Sequence, residues 1–504
     1  MKNRYLLILL ILAVPSAYFA QTTNPLFLKT NILSAAQEVQ PFIPEKLFSG
    51  NQPVANDPTL PGRIIAALNA RYQHDRDYAR HGITVSVHIP GQADWSGAIG
   101  INDETEPMDT NLVFEIASNT KTFVTALIMK LQDEGKISIK DSLGKWIKKK
   151  YPYIDGAITI EQLLNHSSGI YDYLNDDPQY SALEDFYGYN PSMSWTPDSI
   201  LMRFVGPPNF KAGTSYRYSN TNFILAGMIA ELAGGQKLGV LMHTYFIDPL
   251  KLTHTFFGGE DQIPLRFAHN WTANDTLNPE TDFYDLDKTA QLSGAWAAGN
   301  MVSTTYDLVR WVNLLYTGQI ISKSGLAQMV AVHRWPDGSY YGLGTGRAPY
   351  NTSYLYGHGG SLIGFKSFMW TNPKDSVSIA VYMNSDALGR DANANDYVLD
   401  VLGETYRAPT KGVDQTEAGK SLSVSLYPNP AHELANFYFR TETDSHATLR
   451  IFNELGEQVA IILNENLSAG IHSVKYDLRD HHSGTYFYRL QSGSASTSGK
   501  FVKE

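Results

Sequence analysis

The sequence predicts a mixed α/β domain followed by a small all-β domain, and three patterns support this prediction. Residues 123–131 repeat apolar side chains at helical intervals ahead of Gly135, as expected of a buried helix with a glycine cap. Residues 83–89 alternate with period two, which is typical of a strand. Residues 421–504 hold several short alternating runs separated by glycine and asparagine turns, which favours a β-sandwich.

Composition narrows the possible functions. The chain has 504 residues, of which 43% are apolar and 18% are charged, enough for a large core and more than one domain. A formal net charge of -10 argues against a nucleic-acid partner. Because the chain has no cysteine and no His-Glu-x-x-His or similar cluster, we expect no disulfide, no metal and no cofactor.

The N-terminus has the features of an export signal. Lys2 and Arg4 precede an apolar run at residues 6–14, which is too short to span a bilayer but fits a secretory signal peptide. We therefore expect a signal peptide at 1–20 and a proline-rich extended leader at 21–60, with no transmembrane anchor in the mature chain. A larger domain at 61–405, a linker at 406–420 and the β-sandwich at 421–504 would follow.

The first candidate for chemistry is Ser118-Asn119-Thr120-Lys121, which opens the helical run. Ser118 and Lys121 share one helix face, and the free N–H groups at a helix start favour an oxyanion. A desolvated Lys121 can lose its proton and accept one from the serine, which predicts a serine acyl-transferase. The alternative is a helix-capping serine beside a surface lysine. The same spacing recurs at Ser142 and Lys145, next to a basic segment that we expect to be exposed.

The second candidate is Tyr218-Ser219-Asn220, directly before the apolar helical run at 221–232. There a phenol and an amide can project into a cleft from one rigid support. The alternative is a buried phenol whose hydroxyl is satisfied. Two other Tyr-x-Asn triplets compete: Tyr382 ends a strand, and Tyr173 follows a loop.

The third candidate is His358-Gly359-Gly360-Ser361, ahead of a strand. Its glycines let a substrate lie against the strand edge, with His358 and the backbone N–H near Ser361 facing the cleft. His166 is a further candidate base or metal ligand, but its place at a helix end favours a structural hydrogen bond.

In chain order these three motifs resemble the penicillin-recognising serine hydrolase family, which contains class C β-lactamases, serine D-Ala-D-Ala carboxypeptidases, D-aminopeptidases and related esterases. The resemblance covers about residues 63–405 and includes the segment Leu164-Asn165-His166-Ser167-Ser168-Gly169-Ile170. It implies an α/β domain with an antiparallel sheet flanked by helices, plus an all-helical lobe, with the active-site cleft between them.

The resemblance also implies roles for the motif residues. Ser118 would be the nucleophile and Lys121 its activator, while Tyr218 would relay protons to the leaving group. Asn220 would hydrogen-bond the substrate amide, and His358 would add electrostatic and proton-shuttle support.

At the third motif the resemblance implies substrate binding by Gly360 and Ser361, with the N–H groups of Ser118 and Ser361 as oxyanion hole. Gly359 stands where the family often has a threonine that helps to hold a substrate carboxylate. This departure from the family pattern argues against strict carboxypeptidase specificity. We predict a secreted serine hydrolase of small D-peptides or esters, similar to D-Ala-D-Ala carboxypeptidases. The alternatives are a β-lactamase or carboxylesterase, or a surface binding protein that has lost catalysis. Aromatic residues at 185–195 could roof the cleft.

In the C-terminal region, residues 426–430, 484–490 and 499–503 resemble the type A sorting domain of the type IX secretion system. This resemblance implies delivery by the secretion machinery, through the periplasm, to the exterior or the outer-membrane surface. Without it, a carbohydrate-binding module is the alternative.

Overall fold

The computed structural model describes most of both predicted domains. In the larger domain the described residues are 60–75, 81–103, 105–176, 182, 186, 190–272, 281–334, 340–350, 353–386 and 394–406. In the C-terminal domain they are 424–427, 431, 434–441, 443–454, 456–468 and 470–503. The predicted signal peptide lies outside the described residues, as do the predicted leader up to residue 59 and nearly all of the predicted linker.

The helices of the larger domain, in chain order, are α1 (Leu60–Asp75), α2 (Thr120–Asp133), α3 (Leu143–Trp146), α4 (Ile160–Leu164), α5 (Pro197–Arg203), α6 (Thr221–Gly234), α7 (Leu238–Met242), α8 (Thr289–Gly299), α9 (Thr305–Tyr316), α10 (Lys323–Met329) and α11 (Ala394–Tyr406). Its strands are β1 (Gly82–His88), β2 (Trp95–Gly100), β3 (Phe114–Glu115), β4 (Phe256–Phe257), β5 (Trp271–Thr272), β6 (Thr281–Asp282), β7 (Met301–Ser303), β8 (His333–Arg334), β9 (Tyr340–Tyr341), β10 (Gly346–Tyr350), β11 (Ser353–Leu362), β12 (Phe365–Asn372) and β13 (Val377–Met383).

An eight-stranded antiparallel sheet organises this domain, in the order β2-β1-β13-β12-β11-β10-β9-β8. Its central strand β13 is buried on both faces, because helices cover the sheet from two sides. Ile379 and Val381 point to the side covered by α1 and α11, while Ala380 and Tyr382 point to the core of the helical lobe. The predicted antiparallel sheet with flanking helices is confirmed.

The helical lobe surrounds α2, which the sequence predicts as a buried helix. Its side chains from Thr120 to Met129 are all buried, and Phe123 stacks on Trp311 of α9 with ring centroids 3.6 Å apart. The helix ends just before Gly135, whose φ of 72° is the left-handed conformation expected of a glycine cap.

The C-terminal domain is all-β, as predicted. Its strands are β14 (Val424–Tyr427), β15 (Leu434–Thr441), β16 (Ser445–Phe452), β17 (Gln458–Leu467), β18 (Gly470–Asp477), β19 (Gly484–Ser492) and β20 (Ala495–Lys503). They form one sheet in the order β14-β15-β18 and a second in the order β17-β16-β19-β20. Side chains from both sheets, including Phe437, Leu449 and Phe501, share one core.

Among the described residues no single helix is long and apolar enough to cross a membrane. Two consecutive helical segments, Thr221–Gly234 and Leu238–Ile247, reach that length and composition only together, and they meet at an angle of 73°.

Candidate active site

Ser118 lies on a sharp turn between β3 and α2. The turn is a short 3-10 helix, Ala117–Asn119, and α2 follows it directly. Ala117 has a φ of 48°, a left-handed conformation that costs a non-glycine residue about 1–2 kcal/mol. The turn places Ser118 just before the buried helix that the sequence predicts, and leaves the serine partly exposed.

Neighbouring strands hold this turn from the side. The hydroxyl of Ser367 on β12 donates to the carbonyl of Ile116 at 2.9 Å and accepts from Nδ2 of Asn119 at 2.7 Å. Gly360 on β11 lies directly against the turn, because a Cβ there would stand 2.3 Å from the Ile116 carbonyl oxygen. The contact therefore requires glycine and places the third motif beside the serine.

Lys121 lies one turn further along, with no exposed surface. Its Nζ is 2.9 Å from Oγ of Ser118, 2.8 Å from Oδ1 of Asn220 and 2.6 Å from the carbonyl oxygen of Ala298. Burial lowers the pKa of Lys121 to about 7, although the negative charge of Asp172 opposes the shift.

A neutral amine fits this environment. It has two N–H groups and one lone pair, and the Asn220 and Ala298 oxygens can only accept hydrogen bonds. When these two oxygens accept hydrogen bonds from the two N–H groups, the lone pair of the amine faces the hydroxyl of Ser118. The arrangement is that of a general base beside its nucleophile.

Tyr218 approaches Ser118 on another side. Its hydroxyl donates to Oγ of Ser118 at 3.0 Å, and its ring centroid is 5.0 Å from Nζ of Lys121. Burial raises the pKa of Tyr218 well above its ordinary value, so the phenol stays neutral near pH 7. Lys121 rather than Tyr218 is therefore the group ready to accept the serine proton.

His358 lies on β11 with its ring centroid 6.4 Å from that of Tyr218. Its Nδ1 donates to the carbonyl of Gly359, so Nε2 is left to accept from the hydroxyl of Tyr341 at 2.8 Å. Burial, with the nearby Lys121, lowers the pKa of His358 to about 3. The structure thus holds a neutral imidazole with both nitrogens engaged, and any electrostatic support from His358 comes without a positive charge.

Two groups that face Lys121 were not found by reasoning from the sequence. Ala298 contributes only a backbone carbonyl, which it presents just after a break in α8 where Trp296 has φ 35° and ψ -126°. Asp172, which accepts from Nδ2 of Asn220 at 3.0 Å, lies two residues beyond the segment 164–170. A backbone acceptor leaves no mark in a sequence, whereas extending that segment would have included Asp172.

The competing motifs have structural roles. Ser142 precedes the short helix α3, and the Lys145 side chain is 58% exposed and pairs with Asp141 at 2.8 Å. Tyr173 donates its hydroxyl to the carbonyl of Gly294 at 2.7 Å inside the core. Tyr382 is buried within β13.

His166 is also structural, as the sequence favours. Its Nδ1 accepts from the backbone N–H of Ser219 and from Nδ2 of Asn222, each at 3.2 Å, so it supports the turn that carries the second motif. Of the aromatic residues considered as a roof, Phe186 and Trp195 pack together in the core, while Tyr187 and Tyr189 lie outside the described residues.

Within the described ranges no group of three or more His, Asp or Glu side chains is arranged to bind a metal ion.

The fold and this site can be compared with those of known proteins. The Beta-lactamase family model matches residues 63–403, and the model described as Secretion system C-terminal sorting domain matches residues 425–504. Penicillin-binding protein 4* of Bacillus subtilis is 23% identical over 384 residues, 71% of this chain and 80% of that protein.

Two solved structures resemble the larger domain. The D-stereospecific amidohydrolase from Streptomyces sp. is 29% identical with a TM-score of 0.59, covering 68% of this chain and 98% of that one. The D-amino acid amidase from Ochrobactrum anthropi SV3 is 26% identical with a TM-score of 0.60, covering 69% and 99%.

Because the family match spans well over half of its length, the chain belongs to the Beta-lactamase family of serine hydrolases. Its C-terminal sorting domain points to secretion and implies an interaction with the secretion machinery. Both resemblances drawn from the sequence are confirmed.

Proposed function

We propose that the protein is a secreted serine hydrolase that forms an acyl-enzyme on Ser118, with Lys121 as general base and Tyr218 as proton relay. The observation that carries this proposal is the environment of the Lys121 amine, where two oxygens that can only accept hydrogen bonds leave the lone pair for Ser118. A surface binding protein would not need a buried amine aligned on a serine.

In the reaction that we propose, the side chains described above move the protons, and the oxyanion hole is the one that the family resemblance implies. Oγ of Ser118 attacks the substrate carbonyl carbon as its proton passes to Lys121, and the oxyanion is held by the N–H groups of Ser118 and Ser361. The C–N or C–O bond of the leaving group breaks as Tyr218 donates its hydroxyl proton, which it recovers from Lys121. Water then attacks the ester carbon, its proton is taken up by the same groups, and Oγ leaves with a proton restored.

The substrates we propose are amides and small peptides of D-amino acids. Two structures similar to this chain, at 29% and 26% identity, are named for D-stereospecific amide hydrolysis. Gly359 has no side chain to help hold a substrate carboxylate, which favours amides and internal bonds over strict D-Ala-D-Ala carboxypeptidase activity.

A substrate panel tests this choice. D-aminoacyl amides, D-Ala-D-Ala peptides, short aryl esters and nitrocefin are compared by kcat/KM, with L-aminoacyl amides as the stereochemical control. We expect kcat/KM for D-amides and D-peptides to exceed that for their L-counterparts by at least about tenfold. Nitrocefin turnover far above the rest would instead make the protein a β-lactamase, and dominant ester cleavage would make it a carboxylesterase.

For the sorting domain we propose that residues 421–504 serve delivery to the exterior or the cell surface and are dispensable for hydrolysis. The support is the separate all-β core, which draws its side chains from the C-terminal strands alone. A chain ended at about residue 415 should keep the kcat/KM of the full chain but remain in the periplasm of its native host. Normal export of the shortened chain would refute the delivery role.

A further inference from the structure

Asp172 is a buried carboxylate behind the proposed catalytic residues, with 1% of its surface exposed. Its oxygens accept from the backbone N–H of Leu174 at 3.0 Å, from Nδ2 of Asn175 at 2.7 Å and from Nδ2 of Asn220 at 3.0 Å. Burial raises the pKa of Asp172 to about 6, since the charged form is poorly solvated. A carboxylate that is kept buried in spite of its desolvation cost is a candidate for a functional role.

The contact with Asn220 determines which way its amide points. With Nδ2 facing the carboxylate, Oδ1 faces Nζ of Lys121 at 2.8 Å. A flip of the amide would oppose two acceptors, Oδ1 and the carboxylate of Asp172, and would place an N–H donor against the amine, where it would compete with Ser118 for the lone pair. Asp172 thereby keeps an acceptor in front of Lys121.

We propose that Asp172 is a positioning residue, which orients the amide of Asn220 and places a negative charge behind the Lys121 amine. This inference rests on the proposed function. Asp172 touches neither Ser118 nor any reacting atom, and it acts through Asn220 and through its charge.

The histidines and tyrosines around this pair carry no charge near pH 7, and the charged groups beside it are Asp176 and Arg217. Burial lowers the pKa values of His166 and His358 and raises those of Tyr173 and Tyr218, so all four stay neutral. The carboxylate of Asp176 is paired with the guanidinium of Arg217. Asp172 is therefore the charge to which Lys121 responds, since a nearby anion favours the ammonium form and raises the pKa of the amine.

The test measures how fast a fluorophosphonate labels Ser118 in the full-length chain between pH 5 and pH 10. Asp172→Asn removes the charge at nearly constant shape. The oxygen that remains can take the place of Oδ1, which lies 3.0 Å from the backbone nitrogen of Leu174 and 3.3 Å from Nδ2 of Asn220, so the Asn220 amide keeps an acceptor. An amide flip of Asn175, whose Oδ1 has no partner among the described groups, can accommodate the new NH₂ group. Loss of the anion makes the amine easier to deprotonate, so the acid limb of the rate profile should move about one unit lower. Asp172→Glu keeps the charge and should leave the limb near its wild-type position.

Asp307→Asn is the matched control. Asp307 is another buried carboxyl, which bonds to the backbone N–H of His254 at 2.7 Å and to the hydroxyl of Thr255 at 3.0 Å. Its loss should leave the acid limb unmoved.

The outcomes separate the two proposals. A lower rate with an unmoved acid limb in Asp172→Asn, or no change at all, would overturn the positioning role. If thermal melting shows that Asp172→Asn does not fold, the uncharged variant Asp172→Ser replaces it. The position of the acid limb is then compared between Asp172→Ser and Asp172→Glu. Absence of labelling in the wild type would instead defeat the proposed function, before Asp172 is considered.

Discussion

Two Ser-x-x-Lys pairs in this chain share one spacing but lie in opposite environments, one buried and one exposed. Ser118 and Lys121 lie at the head of a buried helix, where the amine has no exposed surface and three oxygen neighbours. Ser142 and Lys145 lie at a short helix on the surface, where the ammonium pairs with Asp141 and is 58% exposed. The spacing aligns the two side chains, whereas the lowered pKa of Lys121 comes from burial.

The helix that carries each pair explains the difference. The first ten residues of α2 are all buried, whereas α3 is four residues long with two exposed positions. Desolvation acts on a lysine only when its own side chain is enclosed, and an enclosed lysine needs acceptors for its N–H groups. Asn220 and Ala298 supply them to Lys121.

Replacing each lysine by methionine should give the largest difference in kcat/KM between the two pairs. Lys121→Met should lower kcat/KM by about 10²–10⁴-fold, the usual contribution of general base catalysis. Lys145→Met should stay within about twofold of the wild type, since exposed ion pairs contribute little. A Lys121→Met enzyme that keeps most of its rate would show that another group activates the serine.

The same pair of variants should differ in how stability depends on pH. The pKa of Lys121 falls from 10.5 to about 7 in the folded chain, so the unfolded chain binds more protons between those values. Lys121 should therefore contribute a rise in stability with pH across that window of about 1.4 kcal/mol per unit, and this contribution should be absent from Lys121→Met. Thermal melting at pH 7 and pH 9 measures it, and Lys145→Met should retain this contribution.

A smaller effect on kcat/KM is expected at β11, the strand whose Gly360 packs against the turn that carries Ser118. Ser142 has no corresponding strand. In Gly360→Ala the new Cβ would meet the Ile116 carbonyl oxygen at 2.3 Å and Oγ of Ser367 at 2.4 Å. The strand must shift, which should lower kcat/KM by about 10–100-fold. Gly62→Ala is the control, because a Cβ at that helical position meets nothing within 4 Å. Equal rates in both variants would show that the contact at Gly360 is unimportant.

Much of this architecture could be predicted from the sequence, because helix period, strand alternation and glycine position are local patterns. The helix from Thr120, the strand Gly82–His88 and the all-β C-terminal domain follow from such patterns. The contacts of Ala298 and Asp172 could not be predicted, since they depend on long-range packing. The neutral state of His358 likewise follows from burial and from Tyr341, which a sequence alone does not reveal.

The most direct test of the account is the site and the pH dependence of fluorophosphonate labelling, read by mass spectrometry of the labelled peptide. The account predicts a single label on Ser118, absent from Ser118→Ala, with a rate that rises with pH through about 7, the pKa of Lys121. Equal labelling of wild type and Ser118→Ala, or a Ser118 labelling rate that does not change between pH 5 and pH 9, would contradict it.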